Sequence, residues 1–537
     1  SYTMSGEQTI FESCSVDYDA DDVTSLLKCI ADKNDVARAD LQSGLDTFYL
    51  LWAGALVYFM QTGFAMLCAG SIRSKNVSNV ILWNLLDSAG GGLAFFVCGY
   101  AFAYGGDDGD GGKTFLGTKN FFLMDEDEGS YQDFFFQFAF ACAVSSIVAG
   151  TIAERTQMKA YLMYSTFLVG FVYPVAAHAY WSPNGFLSAG ANDQLFGAGV
   201  IDLAGSGPVH MTGGVTALIA AIILGPRRGR FYDAQTGQPL EEPYNFPPHS
   251  VALQFLGTFC LWFGWYGFNP GSTLGIGTES LGDVASLVAV NTTLAACAGA
   301  ISAMFTSTFL DKMKTGIATY DVTYTMNGCL TGLVAITAGC ATVSPWAAVV
   351  IGIFSGWFYL LGSYLLVKFR IDDAVDAIPV HMVGGAWGVI ATGLFSSATR
   401  LKLAFDQDEH IGWFYEFNRG SGNFTMLGAQ LVGVAFIIIW ISVTMIPFFM
   451  FLRVMGWFRI DQLEEEVGMD LSIHKGQAYS INTPDQDKVD ELNKSKSNSN
   501  YKLRGTNDNN DIQNVEEGKE VSPPDQSRHS AISIGSR

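Results

Sequence analysis

The stretch that decides the fold is Pro208-Val209-His210-Met211-Thr212-Gly213-Gly214, which recurs as Pro379-Val380-His381-Met382-Val383-Gly384-Gly385. Six of the seven positions are identical. A weaker echo links Gly63-Phe64 to Gly267-Phe268. Repetition of this kind indicates that the chain contains two copies of one structural unit.

Both stretches lie inside long apolar runs. Of the 537 residues, 49% are hydrophobic and 15% charged, whereas soluble domains carry about 25% charged residues. Runs of about 20 apolar residues are long enough to cross a bilayer as helices. We therefore predict eleven transmembrane helices, at roughly 48–70, 77–104, 134–152, 160–181, 200–224, 251–272, 284–309, 323–341, 345–367, 376–398 and 425–452.

The repeats place five predicted helices in each copy. Because five is odd, the two copies enter the membrane from opposite sides and form an inverted repeat. The predicted fold is an all-α integral membrane protein with repeats at about 47–224 and 250–398, followed by a last helix at 425–452. Proteins of this kind place their substrate path near the bilayer midplane, where the repeats meet.

Lys and Arg divide the predicted loops into two alternating sets, one with 13 basic residues and one with 5. Basic loops stay on the cytoplasmic side, so we expect the N-terminus outside and the C-terminus inside. We expect this multi-pass protein in the plasma membrane. The predicted segments are an extracellular N-terminal segment at 1–46, the eleven-helix domain at 47–458, an ordered cytoplasmic tail motif at 459–480 and a disordered cytoplasmic tail at 481–537.

The polar ends carry most of the net charge of −21, which argues against nucleic-acid binding. The nine Cys residues form no C-x-x-C pair. Cys14 and Cys29 both lie in the N-terminal segment. An extracellular location would permit a disulfide between them without demanding one.

The repeat brings His210 and His381 near the pseudo-two-fold axis. An ionisable side chain inside a membrane is costly unless it faces the protein interior or a pathway. Two neighbouring neutral imidazoles can share a proton and leave their outward nitrogens for a small polar molecule, and a proton relay is also available. The alternative is a pair of buried histidines satisfied by backbone carbonyls. No further ligand accompanies either His on its helix face, so we expect no metal and no cofactor.

Several motifs around the histidines resemble signatures of the ammonium transporter family, which includes methylammonium permeases and, more distantly, Rhesus proteins. The resemblance covers about residues 45 to 480, and its tail motif is similar to that of plant-type members. The motifs are Gly150-Thr151-Ile152-Ala153-Glu154-Arg155, Asp202-Leu203-Ala204-Gly205-Ser206-Gly207-Pro208-Val209-His210, Gly264-Trp265-Tyr266-Gly267-Phe268-Asn269-Pro270-Gly271-Ser272, Asp372-Asp373-Ala374-Val375-Asp376 through His381, and Gly468-Met469-Asp470-Leu471-Ser472-Ile473-His474.

The resemblance implies transport of ammonium or ammonia by a homotrimer in the lipid bilayer, with one pore in each subunit. It also implies a role for each matching position. Ammonium would be recruited by Trp181, Phe140 and Ser272, with Asp202 organising that site; Phe140 and Phe268 would form the gate; His210 and His381 would line the pore.

The physical chemistry agrees with these implied roles. An aromatic face attracts a cation by roughly 0.5–2 kcal/mol, and Ser272 would add an acceptor. A dry pore blocks bare cations, because burying an unpaired charge costs far more. Ammonium escapes that cost by shedding a proton, which potassium and sodium cannot do. The resemblance also makes Ser472 a phosphorylatable switch, and a kinase a partner, against the alternative of an ordinary tail serine.

Two other functions compete with transport. A sensor would use the same pore fold, and its mark would be a fused signalling domain, which the sequence after Ser480 does not resemble. A membrane enzyme would use the two histidines as general acid and base. It would need a third catalytic group, and we find no nucleophile motif, so we expect no enzymatic activity.

Overall fold

The computed structural model describes residue 14, residues 23–106, 112–124 and 131–479, and residue 494. The chain divides into two compact units, residues 1–484 and residues 485–537. Only Lys494 of the second unit is described, so the tail predicted at 481–537 otherwise lies outside the described residues. Every other feature below belongs to the first unit.

Long helices dominate the described residues, which contain isolated bridges but no strand. The predicted all-helical class is therefore confirmed. Short helices at Ala398–Phe405 and Trp413–Arg419 precede the last long helix, and Gln462–Val467 and Met469–Ser472 follow it. The long helices are α1 (Val23–Ser71), α2 (Ser74–Tyr104), α3 (Tyr131–Ile152), α4 (Met158–Trp181), α5 (Ser206–Leu224), α6 (Val251–Gly271), α7 (Glu279–Thr315), α8 (Val322–Gly339), α9 (Pro345–Lys368), α10 (Ile378–Phe395) and α11 (Thr425–Val454).

Within the described residues, ten of these helices are long and apolar enough to cross a membrane, and α8 is not among the ten. This helix contains Thr, Asn and Gly, and every residue from Met326 to Gly339 is buried. Polar groups at membrane depth are tolerated where protein covers them. The structure therefore supports about ten spans, and the count of eleven stays a prediction.

Helix α1 begins at Val23, well before the predicted span start at residue 48. The carboxylate of Asp46 accepts hydrogen bonds from the backbone N–H groups of Ile276 and Gly277 at 2.6 and 2.7 Å. These bonds anchor the helix to the loop between α6 and α7. A disulfide joins Cys29 of α1 to Cys14.

Glycines allow the two repeats to cross closely. A Cβ on Gly63 of α1 would lie 2.7 Å from the side chain of Leu261 in α6. A Cβ on Gly214 of α5 would lie 2.3 Å from the backbone nitrogen of Met382, and one on Gly385 of α10 would lie 2.5 Å from a backbone oxygen of α5. Small residues permit such approach between membrane helices. The contacts pair the first and the fifth helices of the two copies.

One end of the bundle carries a buried layer of ion pairs, and we call this end the basic face. Arg227 contacts Glu154 at 2.7 Å and Asp372 at 2.8 Å, and Arg73 also pairs with Glu154. Burial alone would raise the pKa of both carboxyl groups, but the charges and hydrogen bonds of the surrounding arginines, Arg227 foremost, together outweigh it. The pKa values of Glu154 and Asp372 therefore lie below their ordinary values. The layer ties together segments that follow α1, α3 and α5 and precede α10.

Candidate functional site

Each repeated stretch forms a π-helical turn that contains its histidine. The turns span Ser206–Met211 in α5 and Ile378–Val383 in α10. Pro208 and Pro379 have no backbone N–H, so neither can make the regular hydrogen bond of an α-helix. π turns often occur at functional sites. The shared Pro-Val-His-Met sequence thus gives both histidines the same local backbone.

A carboxylate eight residues before each histidine holds its turn. Asp202 accepts hydrogen bonds from three consecutive backbone N–H groups, those of residues 205–207, at 2.7–3.0 Å. Asp373 accepts from the backbone N–H of Ile378 at 2.7 Å and from a hydroxyl of α3 at 2.9 Å. The first N–H groups of a helix have no partner within it, so such acceptors stabilise its beginning.

The two histidines meet at the centre of the bundle. The Nδ1 atoms of His210 and His381 are 3.2 Å apart, and the ring centroids are 5.2 Å apart. One Nδ1 must donate and the other accept, so one outward Nε2 carries a proton and the other carries a lone pair. The Nε2 of His210 is buried and has no hydrogen-bond partner among the described residues. It is therefore available to a small polar molecule.

Aromatic rings continue the column beyond His210. Phe268 stacks on His210 with centroids 5.4 Å apart, and Phe140 stacks on Phe268 at 4.0 Å. Trp181 meets Phe140 edge to face at 6.2 Å. Phe140 and Phe268 are 1% and 0% exposed. The two stacked rings therefore close the column between Trp181 and the histidines.

Trp181 is held by the same aspartate that caps the histidine turn. Its indole N–H donates to the backbone oxygen of Asp202 at 2.8 Å. Gly205 lies against the indole at φ 106°, where residues with a Cβ are strained. Ser272 lies one turn beyond Phe268, and its hydroxyl donates to the Phe268 backbone oxygen at 2.8 Å. Asp202 is 3% exposed, and its backbone oxygen and its carboxylate are both engaged in these hydrogen bonds.

Beyond His381 the column opens into two cavities. A cavity of about 20 Å³ is lined by His381, Ser146 and Asn327 together with apolar side chains. Asn327 also lines a cavity of about 230 Å³, whose walls include Asp376 and Arg230. The larger cavity lies at the basic face. The column is thus packed with rings on the Trp181 side, and on the other side it opens through a small, mostly apolar cavity toward a larger polar one.

The tail segment, residues 459–479, docks on the basic face. Asp470 is fully buried and accepts hydrogen bonds from two backbone N–H groups at the start of α2, both at 3.0 Å. Glu465 accepts a hydrogen bond from the backbone N–H of Arg228 at 2.7 Å, which joins the tail segment to the loop between α5 and α6. Ser472 follows Asp470 by two positions and is partly buried.

The sequence did not assign a role to three residues of the column, namely Phe64, Trp265 and Asp373. Phe64 lies 6.3 Å from His381, in the position that Phe268 holds in the other repeat. The Gly-Phe echo carried that signal, and the spacing of eight residues before each histidine carried the signal for Asp373. Trp265 stacks on the other histidine at 5.2 Å. No internal symmetry marks it.

Comparison with known proteins places this site in a family. Residues 48–479 match the profile described as the Ammonium Transporter Family. Ammonium transporter 1 member 3 of Solanum lycopersicum is 41% identical over 456 residues, which cover 82% of this chain and 94% of that protein. Ammonium transporter 1 member 2 of Oryza sativa subsp. japonica is 44% identical over 431 residues, covering 78% and 83%.

Solved structures are similar over the same region. A protein named Sensor Amt Protein aligns with a TM-score of 0.69 and 31% identity, covering 81% of this chain and 99% of its own. The crystal structure of Saccharomyces cerevisiae Mep2 aligns with a TM-score of 0.66 and 26% identity, covering 78% and 87%. The fold and the family match therefore agree over the helical part of the chain.

Proposed function

The chain belongs to the ammonium transporter family, and we propose that it moves ammonium nitrogen through the aromatic column and the pore lined by His210 and His381. The family and the names of the plant relatives support ammonium transport by a multi-span membrane protein. The observation that carries the pore proposal is the Nδ1–Nδ1 contact of 3.2 Å at the end of a closed aromatic column.

Recruitment takes place at Trp181, Phe140 and Ser272 in this proposal. The indole and phenyl faces attract a cation, and each such contact is worth roughly 0.5–2 kcal/mol. Ser272 supplies a directional acceptor close to the gate. Asp202 organises the site without touching substrate, because its carbonyl holds Trp181 and its carboxylate holds the turn of His210.

The gate consists of Phe140 and Phe268, whose rings stack at 4.0 Å. A bare cation has no partner between two phenyl rings and a neutral imidazole, so its burial is prohibitive. Ammonium that loses a proton crosses as ammonia, which offers one lone pair and three N–H donors to the outward nitrogens of the histidines. The cavity of about 20 Å³ beyond His381 is large enough for one molecule of the size of water.

The proposed orientation puts the basic face in the cytoplasm and the N-terminus outside, since basic loops stay inside. The column lies within one chain, so in the proposed homotrimer each subunit of the plasma-membrane protein carries its own pore. Residues 47–458 form the transport domain, preceded by an extracellular segment at 1–46. An extracellular N-terminus agrees with the disulfide between Cys14 and Cys29.

We also propose that residues 459–480 regulate transport through Ser472, with a protein kinase as partner. A phosphate there would add about −1.5 to −2 charge close to the buried Asp470 and to Glu465. Like-charge repulsion should release the tail from the start of α2. Ser472→Asp should reduce uptake and Ser472→Ala should preserve it, measured at matched surface expression. Wild-type uptake in both variants would remove the switch.

An ammonium sensor with the same pore fold is the second candidate. It is favoured by the similarity to the structure named Sensor Amt Protein, whose chain is covered almost completely. A sensor would bind ammonium without sustained flux. A transporter would show both ammonium binding and sustained flux.

The test is reconstitution of the purified full-length chain in proteoliposomes. We expect uptake of methylammonium above protein-free vesicles, with potassium and sodium flux at background. Ammonium-dependent thermal stabilisation without any flux would favour the sensor. The absence of both would contradict a site for ammonium.

A further inference from the structure

Helix α2 carries a buried carboxylate, Asp87, that is not part of the proposed pore. Asp87 lies on α2, is 0% exposed and is surrounded by α3 and α4. The hydroxyl of Ser165 donates to one carboxylate oxygen at 2.6 Å, and the hydroxyl of Tyr161 donates to the other. The partners of the carboxylate within the described residues are hydroxyl groups. An ionisable group at this depth without a basic partner marks a functional site.

The surroundings of Asp87 can satisfy either protonation state. An ionised carboxylate accepts from several hydroxyl donors, and a protonated one donates one O–H. The hydroxyls of Ser145 and Ser146 on α3 also lie within interaction range. A hydroxyl can rotate to donate or to accept, so gain of a proton leaves no polar atom stranded. The cluster is therefore suited to taking up and returning a proton.

A serine connects this cluster to the pore. Ser146 lines the cavity of about 20 Å³ that His381 also lines. The same hydroxyl lies within interaction range of Asp87 and currently donates to Gln61 at 2.6 Å. The hydroxyl of Ser146 is thus shared by the cavity beside His381 and the surroundings of Asp87. A serine that accepts one proton and donates another relays charge between the two sites.

From Asp87, a row of buried polar groups continues along α2 toward the basic face. Three of them have atoms without a hydrogen-bond partner among the described residues, namely Asn84 Oδ1, Trp83 Nε1 and Asn79 Nδ2. The spacing of three to four residues places them on one side of the helix with Asp87. Asn79 Oδ1 lies 3.0 Å from Nε2 of His474 in the docked tail segment. This row of polar groups on α2 therefore links Asp87 to the basic face, where the tail segment lies.

We propose that Asp87 holds the proton that ammonium gives up, on a route separate from the path of ammonia. This inference rests on the proposed transport function. One N–H bond of ammonium breaks, its electron pair stays on nitrogen, and ammonia continues along the pore. The proton passes by the pore histidines and the hydroxyl of Ser146 to form an O–H bond on Asp87. The O–H bond on Asp87 then breaks, its electron pair stays on the restored carboxylate, and the proton passes to water on the basic face.

Other titratable side chains face Asp87 from each neighbouring helix. They are Cys68 of α1, Cys142 of α3, and Tyr161 and Tyr164 of α4. Thiols and phenols ionise well above neutral pH in their reference states. Asp87 is the carboxyl group of this cluster, and a carboxyl group gives up its proton more readily than a thiol or a phenol.

The test measures charge moved per nitrogen in proteoliposomes, from ammonium-evoked current and methylammonium uptake in one preparation. Asp87→Asn keeps the side-chain shape and one acceptor oxygen but cannot exchange a proton. We expect its charge-to-nitrogen ratio to fall at least about fivefold, corresponding to about 1 kcal/mol, with its pH dependence flattened. Ser146→Ala should lower the ratio in the same direction, and it leaves the contacts between α2 and α4 intact if Asp87→Asn does not assemble.

The matched control is Ser88→Ala, which removes a hydroxyl from α2 that donates to the backbone of the same helix. Its ratio should equal that of the wild type. An unchanged ratio in Asp87→Asn and Ser146→Ala, or equal loss of current and uptake, would overturn the proton route. Wild-type nitrogen flux without charge would overturn the route and leave transport intact. Absence of wild-type nitrogen flux would overturn both.

Discussion

The two halves of the column share a sequence motif but not an environment. In the Trp181 half, His210 lies under the stacked rings of Phe268 and Phe140. In the basic-face half, His381 borders a mostly apolar cavity of about 20 Å³, which shares Asn327 with a polar cavity of about 230 Å³. The repeated sequence builds the same π turn twice, and the helices packed around it decide which half is closed.

This difference assigns different tasks to equivalent positions. In the proposed pore the closed half excludes water and bare cations, so we place selection there. We place release and proton handling in the open half, which offers hydroxyl, amide and carboxylate groups. Variants at equivalent positions of the two halves therefore test whether the asymmetry matters.

The largest difference is expected between Phe268→Ala and Phe64→Ala. Both phenyl rings face a histidine, but Phe268 also stacks on Phe140. Its loss should admit water and raise potassium leak about tenfold or more, a change of about 1.4 kcal/mol in the barrier. Phe64→Ala should leave potassium exclusion near wild type. Potassium flux in proteoliposomes measures both, and equal leaks would show that the halves are equivalent gates.

Acid should loosen the basic face before it affects the aromatic column. Glu154 and Asp372 have pKa values below the ordinary range because the surrounding arginines, Arg227 foremost, together outweigh burial. Carboxyls with lowered pKa values stabilise the fold at pH values above their unfolded pKa of about 4, and this stabilisation is lost as pH falls toward the folded value. Protease cleavage of the loop at 226–250 should therefore be constant from pH 7 to about pH 5 and rise below about pH 4.

The aromatic column is the comparison for this acid titration. Trp265 stacks on His210 and contacts no carboxylate among the described residues of the column. Its fluorescence should change at a lower pH than the cleavage of the loop. Simultaneous loss of both signals would show that the ion-pair layer and the column unfold as one unit.

The smallest effect is expected in the recruitment site. Trp181→Leu combined with Ser272→Ala should raise the ammonium concentration for half-maximal uptake by about threefold to tenfold, since a cation–π contact is worth roughly 0.5–2 kcal/mol. Maximal uptake should change less. Trp346→Leu is the matched control, because this indole is 56% exposed and lies outside the column. An unchanged concentration dependence in the double variant would show that Trp181 and Ser272 do not form the recruitment site.

Local patterns predicted the positions of the helices and of the histidine pair. Apolar run length placed most long helices to within a few residues, and the repeated Pro-Val-His-Met motif located both π turns. The start of α1 was missed because residues 23–47 are polar, and nothing in their composition shows that Asp46 anchors the helix to a distant loop.

Contacts between distant segments could not be predicted from local patterns. Arg227 pairs with Glu154, 73 positions away, and Asp470 caps α2 from nearly 400 positions away. The inverted repeat is the exception, because it relates distant positions by symmetry. It contained the information needed to place Phe64 beside His381, through the Gly-Phe echo, although no role was assigned to Phe64 from the sequence.

The most direct test of the central claim is methylammonium uptake by His210→Ala and His381→Ala in proteoliposomes, with His410→Ala as a control outside the column. Both pore variants should purify in the same oligomeric state as the wild type, because each histidine lines the column, and should lose uptake about tenfold or more, or lose selectivity against potassium. His410→Ala should behave as the wild type. Normal uptake and normal selectivity in both pore variants would contradict the twin-histidine pore.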